Sequence, residues 1–312
     1  MNLQQLEYIV AVDTARHFGK AAEKCFVTQP TLSSMIHKLE AELGVRIFQR
    51  DKKPVIPTEV GKHIIAQARS VLQETKRIPD IVQTHIGEIK GELRLGILPT
   101  LAPYVLPLFI QHFIRMYKQV HVTIKELLTE EMIEGLKKGK IDIGLLVTPI
   151  EEKSLAVDPI FYEEFVAYVS SHEPSFKRRH LDPARIDASK LWLLEEGHCF
   201  RSQIMNLCHL RKAAARHKQF DYEAGSIETL KKMVERNEGM TILPELALLY
   251  LNESDKHMVR RFRKPVPVRE VSMITRRDYA HVVLHEALKK QIVAAVPQRM
   301  LHMNKRAVIK QA

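Results

Sequence analysis

Cysteine is scarce in this chain. Cys25, Cys199 and Cys208 are the only three among 312 residues, which points away from a structural disulfide framework. No apolar run reaches the length of a membrane span, and Met1-Asn2-Leu3-Gln4-Gln5 does not read as a signal peptide. The expectation is a cytoplasmic protein with no membrane partner, whose thiols are reduced at rest. Negative charge is also the minority: 48 Lys and Arg face 37 Asp and Glu, a formal net charge of +11. A basic balance of that size makes a nucleic acid a plausible partner. The rest is ordinary for a soluble protein, 45% hydrophobic and 27% charged, and long enough for two or three domains.

Two of the three cysteines fall within one short stretch, residues 194 to 208. Cys199 follows His198 and lies two residues before Arg201, and both neighbours can favour a thiolate. Gly197 reads as the break before a short helix, which puts Cys199 in a first turn where the helix dipole adds to that effect. Cys208 comes nine residues later. On a helix that is about 13.5 Å of rise and about half a turn out of phase, whereas a disulfide needs Cα atoms within about 7 Å. Oxidation of such a pair would force local refolding. Two other readings stand beside this one. The cysteines can be unrelated buried hydrophobes. Alternatively, His198-Cys199 and Cys208-His209 can ligate zinc as a mirrored set, although this set lacks the usual spacing of two to four residues.

The first 57 residues read as three helices and a hairpin. Leu3, Leu6, Val10 and Ala11 fit one face of a first helix, and residues 18 to 25 form a short second one. Thr28 can cap a third helix with Pro30 near its start. Leu32, Ile36, Leu39 and Leu43 would face the core, and Cys25 is expected to pack inward. Gln29, Thr31, Ser33, Ser34, His37 and Lys38 are left outside. This is the pattern of a helix-turn-helix whose second helix meets base edges. Ile47 to Arg50 and Val55 to Pro57 flank a polar turn, Asp51-Lys52-Lys53-Pro54, and read as a wing whose Arg50, Lys52 and Lys53 could touch phosphate. The plain alternative is a small helical domain with a solvated face. From Thr58 a long helix follows. Ile64, Ala68, Val71, Thr75, Ile78 and Val82 alternate four and three apart, a coiled-coil seam for dimerisation, or else the face of a helix packed on its own domain. Pro79 should end or kink it after Ile78.

Beyond residue 91, strands at 92–98, 120–127 and 141–147 alternate with helices at 104–117 and 130–138, which argues for a parallel α/β sheet. A second unit begins near Phe161 and holds the cysteine pair. A helix and a strand follow from Gly225 to Pro244. A strand at 271–275 and a helix at 282–296 return to the first unit. Lys177-Arg178-Arg179 and Arg260-Arg261-Phe262-Arg263-Lys264 read as solvated charge runs.

Several segments together resemble the LysR-type transcriptional regulators. They are Ala21 to Lys24, Val27 to Ser33 including Gln29 and Pro30, Ile36 to Val45, Phe48-Gln49-Arg50 and Thr58-Glu59-Val60-Gly61. One departure is Ser34, where many members carry arginine. The resemblance implies an all-α winged helix-turn-helix (1–57) and a linker helix (58–90). It further implies a two-lobed α/β effector domain (91–312) like a periplasmic binding protein, with lobe I about 91–160 plus 268–296 and lobe II about 161–267. Within the family, Gly197 to Arg201 with Cys208, Leu98 to Pro103, and Thr129 are similar to the peroxide-sensing members.

That similarity implies a regulator, not an enzyme, without cofactor or metal. Thr100, Thr129, His198, Arg201 and Arg269 would surround Cys199, and Cys208 would close a reversible disulfide with it. Implied partners are double-stranded DNA, hydrogen peroxide, further copies of the chain as dimer or tetramer, RNA polymerase, and a dithiol reductant such as glutaredoxin. The rival readings are a LysR-type regulator that binds a small organic effector between its lobes, and a thiol peroxidase that has acquired a DNA-binding domain.

Overall fold

The computed structural model describes residues 1–50, 52–86, 89–209, 224–279, 281–302 and 308–309. Two compact units divide the chain, Met1–Glu88 and Ile89–Ala312.

In the first unit, α1 (Leu3–Ala15), α2 (Phe18–Lys24) and α3 (Gln29–Leu43) precede a two-stranded hairpin, β1 (Phe48–Gln49) and β2 (Ile56–Pro57), and the long α4 (Glu59–Ile86). Each early helix starts where a side chain meets its orphan N–H groups. Asn2 and Gln5 form a reciprocal capping box on α1. The His17 ring accepts from the Gly19 and Lys20 amides of α2, and Thr28 accepts from Thr31 on α3. The core gathers Leu6, Ile9, Val12, Ala21, Ala22, Leu32, Ile36, Leu39, Ile47 and Phe48. Cys25 is half-buried at its edge. Two expectations shift here. Helix α1 turns Ile9 and Val12 inward and leaves Leu3 exposed, with Val10 and Ala11 only partly covered. Leu43 is exposed, because the chain turns away at Gly44 one residue later.

Helix α4 runs through Pro79 to Ile86. The proline removes one N–H from a helix of 28 residues, a local cost that does not end it. Its first turns serve its own domain, since Ile65 and Ala68 are buried against the helical core, while Ile64 and Val71 pack there in part. Ile78 is exposed. The Val82 side chain and Asp51 of the wing lie outside the described residues.

The second unit contains β3 (Lys90–Ile97), α5 (Ala102–Met116), β4 (Gln119–Glu126), α6 (Thr129–Lys137), β5 (Ile143–Thr148), β6 (Leu155–Val169), β7 (His180–Leu181), α7 (Cys199–Leu207), α8 (Ile227–Arg236), β8 (Met240–Pro244), β9 (Val259–Phe262), β10 (Val268–Arg276) and α9 (Val282–Ala295). One sheet runs β4-β3-β5-β10-β6-β9-β7, with β8 also on β6. It is mixed rather than parallel: β3 is parallel to β4 and β5, but β10 is antiparallel to β5 and β6. The reason is the long β6, which pairs with β10 through residues 155–164 and with β8 and β9 through 165–169. The border expected between lobes at residue 160 falls inside this strand. Both β6 and β10 are shared, and a returning strand must run against its neighbour.

The two charge runs differ. Lys177, Arg178 and Arg179 are exposed. Arg260 instead lies over the Phe176 ring at 4.3 Å, Arg261 pairs with Glu164 at 2.7 Å, and Phe262 is buried, because this run is strand β9.

Candidate functional site

Gly197 supplies the turn that starts α7. Its φ of +96° is a backbone that favours glycine. The helix begins at Cys199, with His198 at the cap position. Helix α6 likewise begins at Thr129, and the Thr129 hydroxyl faces the Cys199 thiol. The positive ends of two helices therefore meet at one sulfur.

A buried charge lies next to them. Arg269 on β10 is 1% exposed. Its Nε donates to Glu163 Oε2 at 2.8 Å, Nη1 donates to Thr100 Oγ1 at 3.3 Å, and Nη2 donates to the Thr100 carbonyl at 3.2 Å. The guanidinium sits over Phe200 at 5.0 Å, and Phe200 stacks on Phe165 at 5.5 Å. Glu163 Oε1 accepts from the Leu246 amide at 2.7 Å. Burial raises the Glu163 pKa, and Arg269 opposes that rise.

Burial is also the largest influence on Cys199 and raises its pKa; Thr129, Arg269 and nearby backbone amides act to lower it. The thiol is thus protonated at rest but surrounded by groups that favour its anion. Thr129 Oγ1 stands beside the sulfur yet falls short of hydrogen-bond geometry, which leaves a buried hydroxyl without a partner.

Cys208 caps the far end of α7, donating its amide to the Ile204 carbonyl at 3.0 Å. It is buried, and burial pushes its thiol up to about 12. Both cysteines are free. The intervening residues are helical, so about 13.5 Å of rise separates them. Within α7, the buried Gln203 donates to the Ile309 carbonyl at 3.0 Å, and Ile309 in turn donates to Val268.

Two of the residues expected around the thiol make contacts in the loop before α7. Arg201 donates to the Leu194 carbonyl at 2.6 Å and braces the chain before α7. His198 is buried with Nε2 at 3.6 Å from Glu195. Arg269, expected in the same group, acts on the Cys199 thiol and favours its anion. The mirrored His-Cys set is not gathered, because His209 is exposed beyond the opposite end of α7. Among the described residues, the one group with metal-ligand spacing is Asp158 on β6 with His285 and Glu286 on α9.

In the first unit, Gln29, Pro30, Thr31, Ser34, His37 and Lys38 are exposed on α3, as are Lys52 and Lys53 on the wing. Ser33 is half-buried and accepts from Arg50 at 3.2 Å. Arg50 is not a free phosphate ligand. It pairs with buried Glu40 at 2.9 Å and lies over Phe18 at 5.3 Å. Glu40 also accepts from the Ile47 and Phe48 amides at 2.7 and 3.3 Å, which fixes the wing to α3. Neither Glu40 nor Glu163 follows from the sequence pattern alone; for Glu40 the available signal was a lone acid four residues after Ile36, at a position with core periodicity.

Family models match both units, a bacterial regulatory helix-turn-helix protein of the lysR family over residues 3–62 and a LysR substrate binding domain over 87–297. The chain belongs to the LysR family. Within it, similar proteins include OxyR proteins and hydrogen peroxide-inducible genes activators. The DNA-binding transcriptional dual regulator OxyR of Escherichia coli is 33% identical over 99% of this chain and 100% of its own. A hydrogen peroxide-inducible genes activator of Haemophilus influenzae is 34% identical over 88% of this chain and 91% of its own. Full-length OxyR of Pseudomonas aeruginosa, solved as a cysteine-to-aspartate variant, superposes with a TM-score of 0.79 at 33% identity, covering 95% of this chain and 99% of that one.

Proposed function

We propose that this protein is a DNA-binding transcription regulator that responds to hydrogen peroxide through Cys199 and Cys208. The observation that carries the reading is the Cys199 thiol, enclosed with an unpartnered Thr129 hydroxyl and the Arg269 guanidinium. Peroxide has no charge to grip, so a site for it must offer hydrogen bonds and a nucleophile. The Thr129 hydroxyl and the helix ends are free to orient it, and Thr100 and Glu163 hold Arg269 in position.

The Cys199 thiol gives up its proton and its sulfur attacks one peroxide oxygen, the O–O bond breaks, and the departing hydroxide takes up a proton in place of the one released, becoming water. The sulfur, oxidised by two electrons, is then a sulfenic acid. Cys208 attacks that sulfur, an S–S bond forms, and a second water leaves. The helix between the two cysteines cannot survive this bond, since their separation exceeds what a disulfide spans. Its unwinding is the conformational signal, carried to DNA through paired copies of the chain that act with RNA polymerase. A cellular dithiol of the glutaredoxin kind restores the thiols. The exposed polar face of α3 and the wing lysines support the DNA assignment.

The test is one equivalent of peroxide added to the purified full-length protein. Loss of two thiols, mass evidence for a 199–208 bridge and a changed DNA footprint are expected, and Cys199→Ser should abolish all three. Unchanged thiols would favour an organic effector between the lobes. Rapid multiple turnover with a thiol reductant would favour a peroxidase.

A further inference from the structure

Helix α2 closes in a turn that normally belongs to glycine. The Phe26 N–H donates to the Glu23 carbonyl and the Val27 N–H to the Ala22 carbonyl, both at 3.1 Å, and Phe26 has φ +55°. This pair of bonds is the Schellman arrangement, whose left-handed residue is usually glycine. The same unit follows that rule at the end of α3, where Gly44 has φ +69°. Arg16 shares the left-handed backbone after α1, but its side chain pairs with Asp13 at 3.1 Å. Phe26 has no such compensation. It is 96% exposed, the most exposed large apolar side chain among the described residues. It joins neither the domain core nor any ring or cation contact described for this unit. The fold therefore gains nothing from a phenyl ring here and carries a strained backbone for it.

The position explains the ring. Phe26 stands two residues before Thr28, the cap of α3. It precedes the exposed run Gln29, Pro30, Thr31, Ser34, His37 and Lys38, so it extends the face assigned above to DNA. A phenyl ring can neither donate nor accept a hydrogen bond. The one apolar feature that base pairs offer in the major groove is the C5-methyl of thymine. We propose that Phe26 is a specificity-determining DNA contact that packs against thymine methyl groups beside the bases met by α3. This rests on the DNA-binding reading of the first unit.

The experiment begins by selecting duplexes from a random library with full-length protein. Recovery of none would defeat the DNA-binding reading itself, a different failure from that of this proposal. Thymines in the selected duplex are then replaced singly by deoxyuridine, which removes only the methyl group. One or two positions per half-site should weaken wild-type binding several-fold, and the same positions should cease to matter for Phe26→Gly and for Phe26→Asn. Phe26→Gly, relieved of strain, should melt no lower than wild type while binding the thymine duplex roughly tenfold more weakly. Identical methyl sensitivity in wild type and both variants overturns the proposal, whatever the variants do to stability, and so does undiminished affinity in Phe26→Gly.

Discussion

Arg269 and Thr129 bear on Cys199 in different ways, and substitution separates them. Arg269 cannot be cut away cleanly, because its loss leaves Glu163 buried and uncompensated, a cost of about 3–5 kcal/mol. Thr129 is the better probe. Its hydroxyl faces the Cys199 sulfur and meets no other hydrogen-bond partner, so Thr129→Val should leave the melting temperature nearly unchanged. Peroxide oxidation of Cys199 should nevertheless slow by about tenfold or more, as when one oriented donor is lost from a reacting centre. Rapid-mixing thiol titration beside a thermal melt measures both, and equal rates in the two proteins would remove Thr129 from the site.

A second prediction at this scale concerns pH. Burial raises the pKa of both thiols, Cys208 to about 12 from an ordinary value of 9.0. Thiolate is the alkylated form, so iodoacetamide should react slowly with the reduced native protein at pH 7, and the rate at each cysteine should climb about tenfold per pH unit below its pKa. The linkage has the corresponding sign. A raised folded pKa means the neutral thiol is the form that folding favours. The Cys208 contribution to stability is therefore complete below pH 9 and lost as pH rises toward 12. Alkylation of Cys208 at pH 7 as fast as that of a free thiol would contradict its burial.

Among elements, α3 and the wing are joined by one carboxylate. Glu40 is 7% exposed and takes two wing amides and Arg50. Glu40→Gln keeps the shape but loses the charge on three donors, which should cost about 1–3 kcal/mol. DNA affinity should fall although residue 40 is buried, because Arg50 and the wing lose their anchor. A melt with an electrophoretic shift assay reads both quantities. Helix α7 is held differently. Gly197 turns the chain into it, Arg201 ties its first turn to Leu194, and Gln203 ties its middle to Ile309.

At the scale of the whole molecule, β6 and β10 run through one continuous sheet, so the segments expected as two lobes are joined by paired strands rather than by a loose joint. The other large-scale feature is α4. Its early turns are spent on the chain's own helical core, whereas Ile78 is 66% exposed, open to the paired copy proposed above. Ile78→Glu should therefore lower the dimerisation affinity at least tenfold without changing the melting of the first unit's core. Sedimentation at micromolar concentration checks this, and an unchanged sedimentation coefficient would place the self-association elsewhere.

The sequence by itself determined the elements and their order. Apolar spacing placed α3, Thr28 and Pro30 marked its start, and Gly197 marked the start of α7, because these signals act within a turn or two of chain. Local signals also put Cys199 at a helix N-terminus with Cys208 out of its reach. Family resemblance pointed to Thr100, Thr129 and Arg269, but the contacts among the residues around the thiol were decided by the tertiary structure. Arg269, Glu163 and Thr100 are separated by up to 169 residues along the chain, and no local pattern records that a strand returning from the second lobe lays its arginine beside them. Arg201, adjacent in sequence, was turned away to a carbonyl. The same holds for the thiol's acidity. Neighbours in sequence suggested a stabilised anion, but burial, which depends on the whole packed unit, outweighs them and leaves the proton on the sulfur.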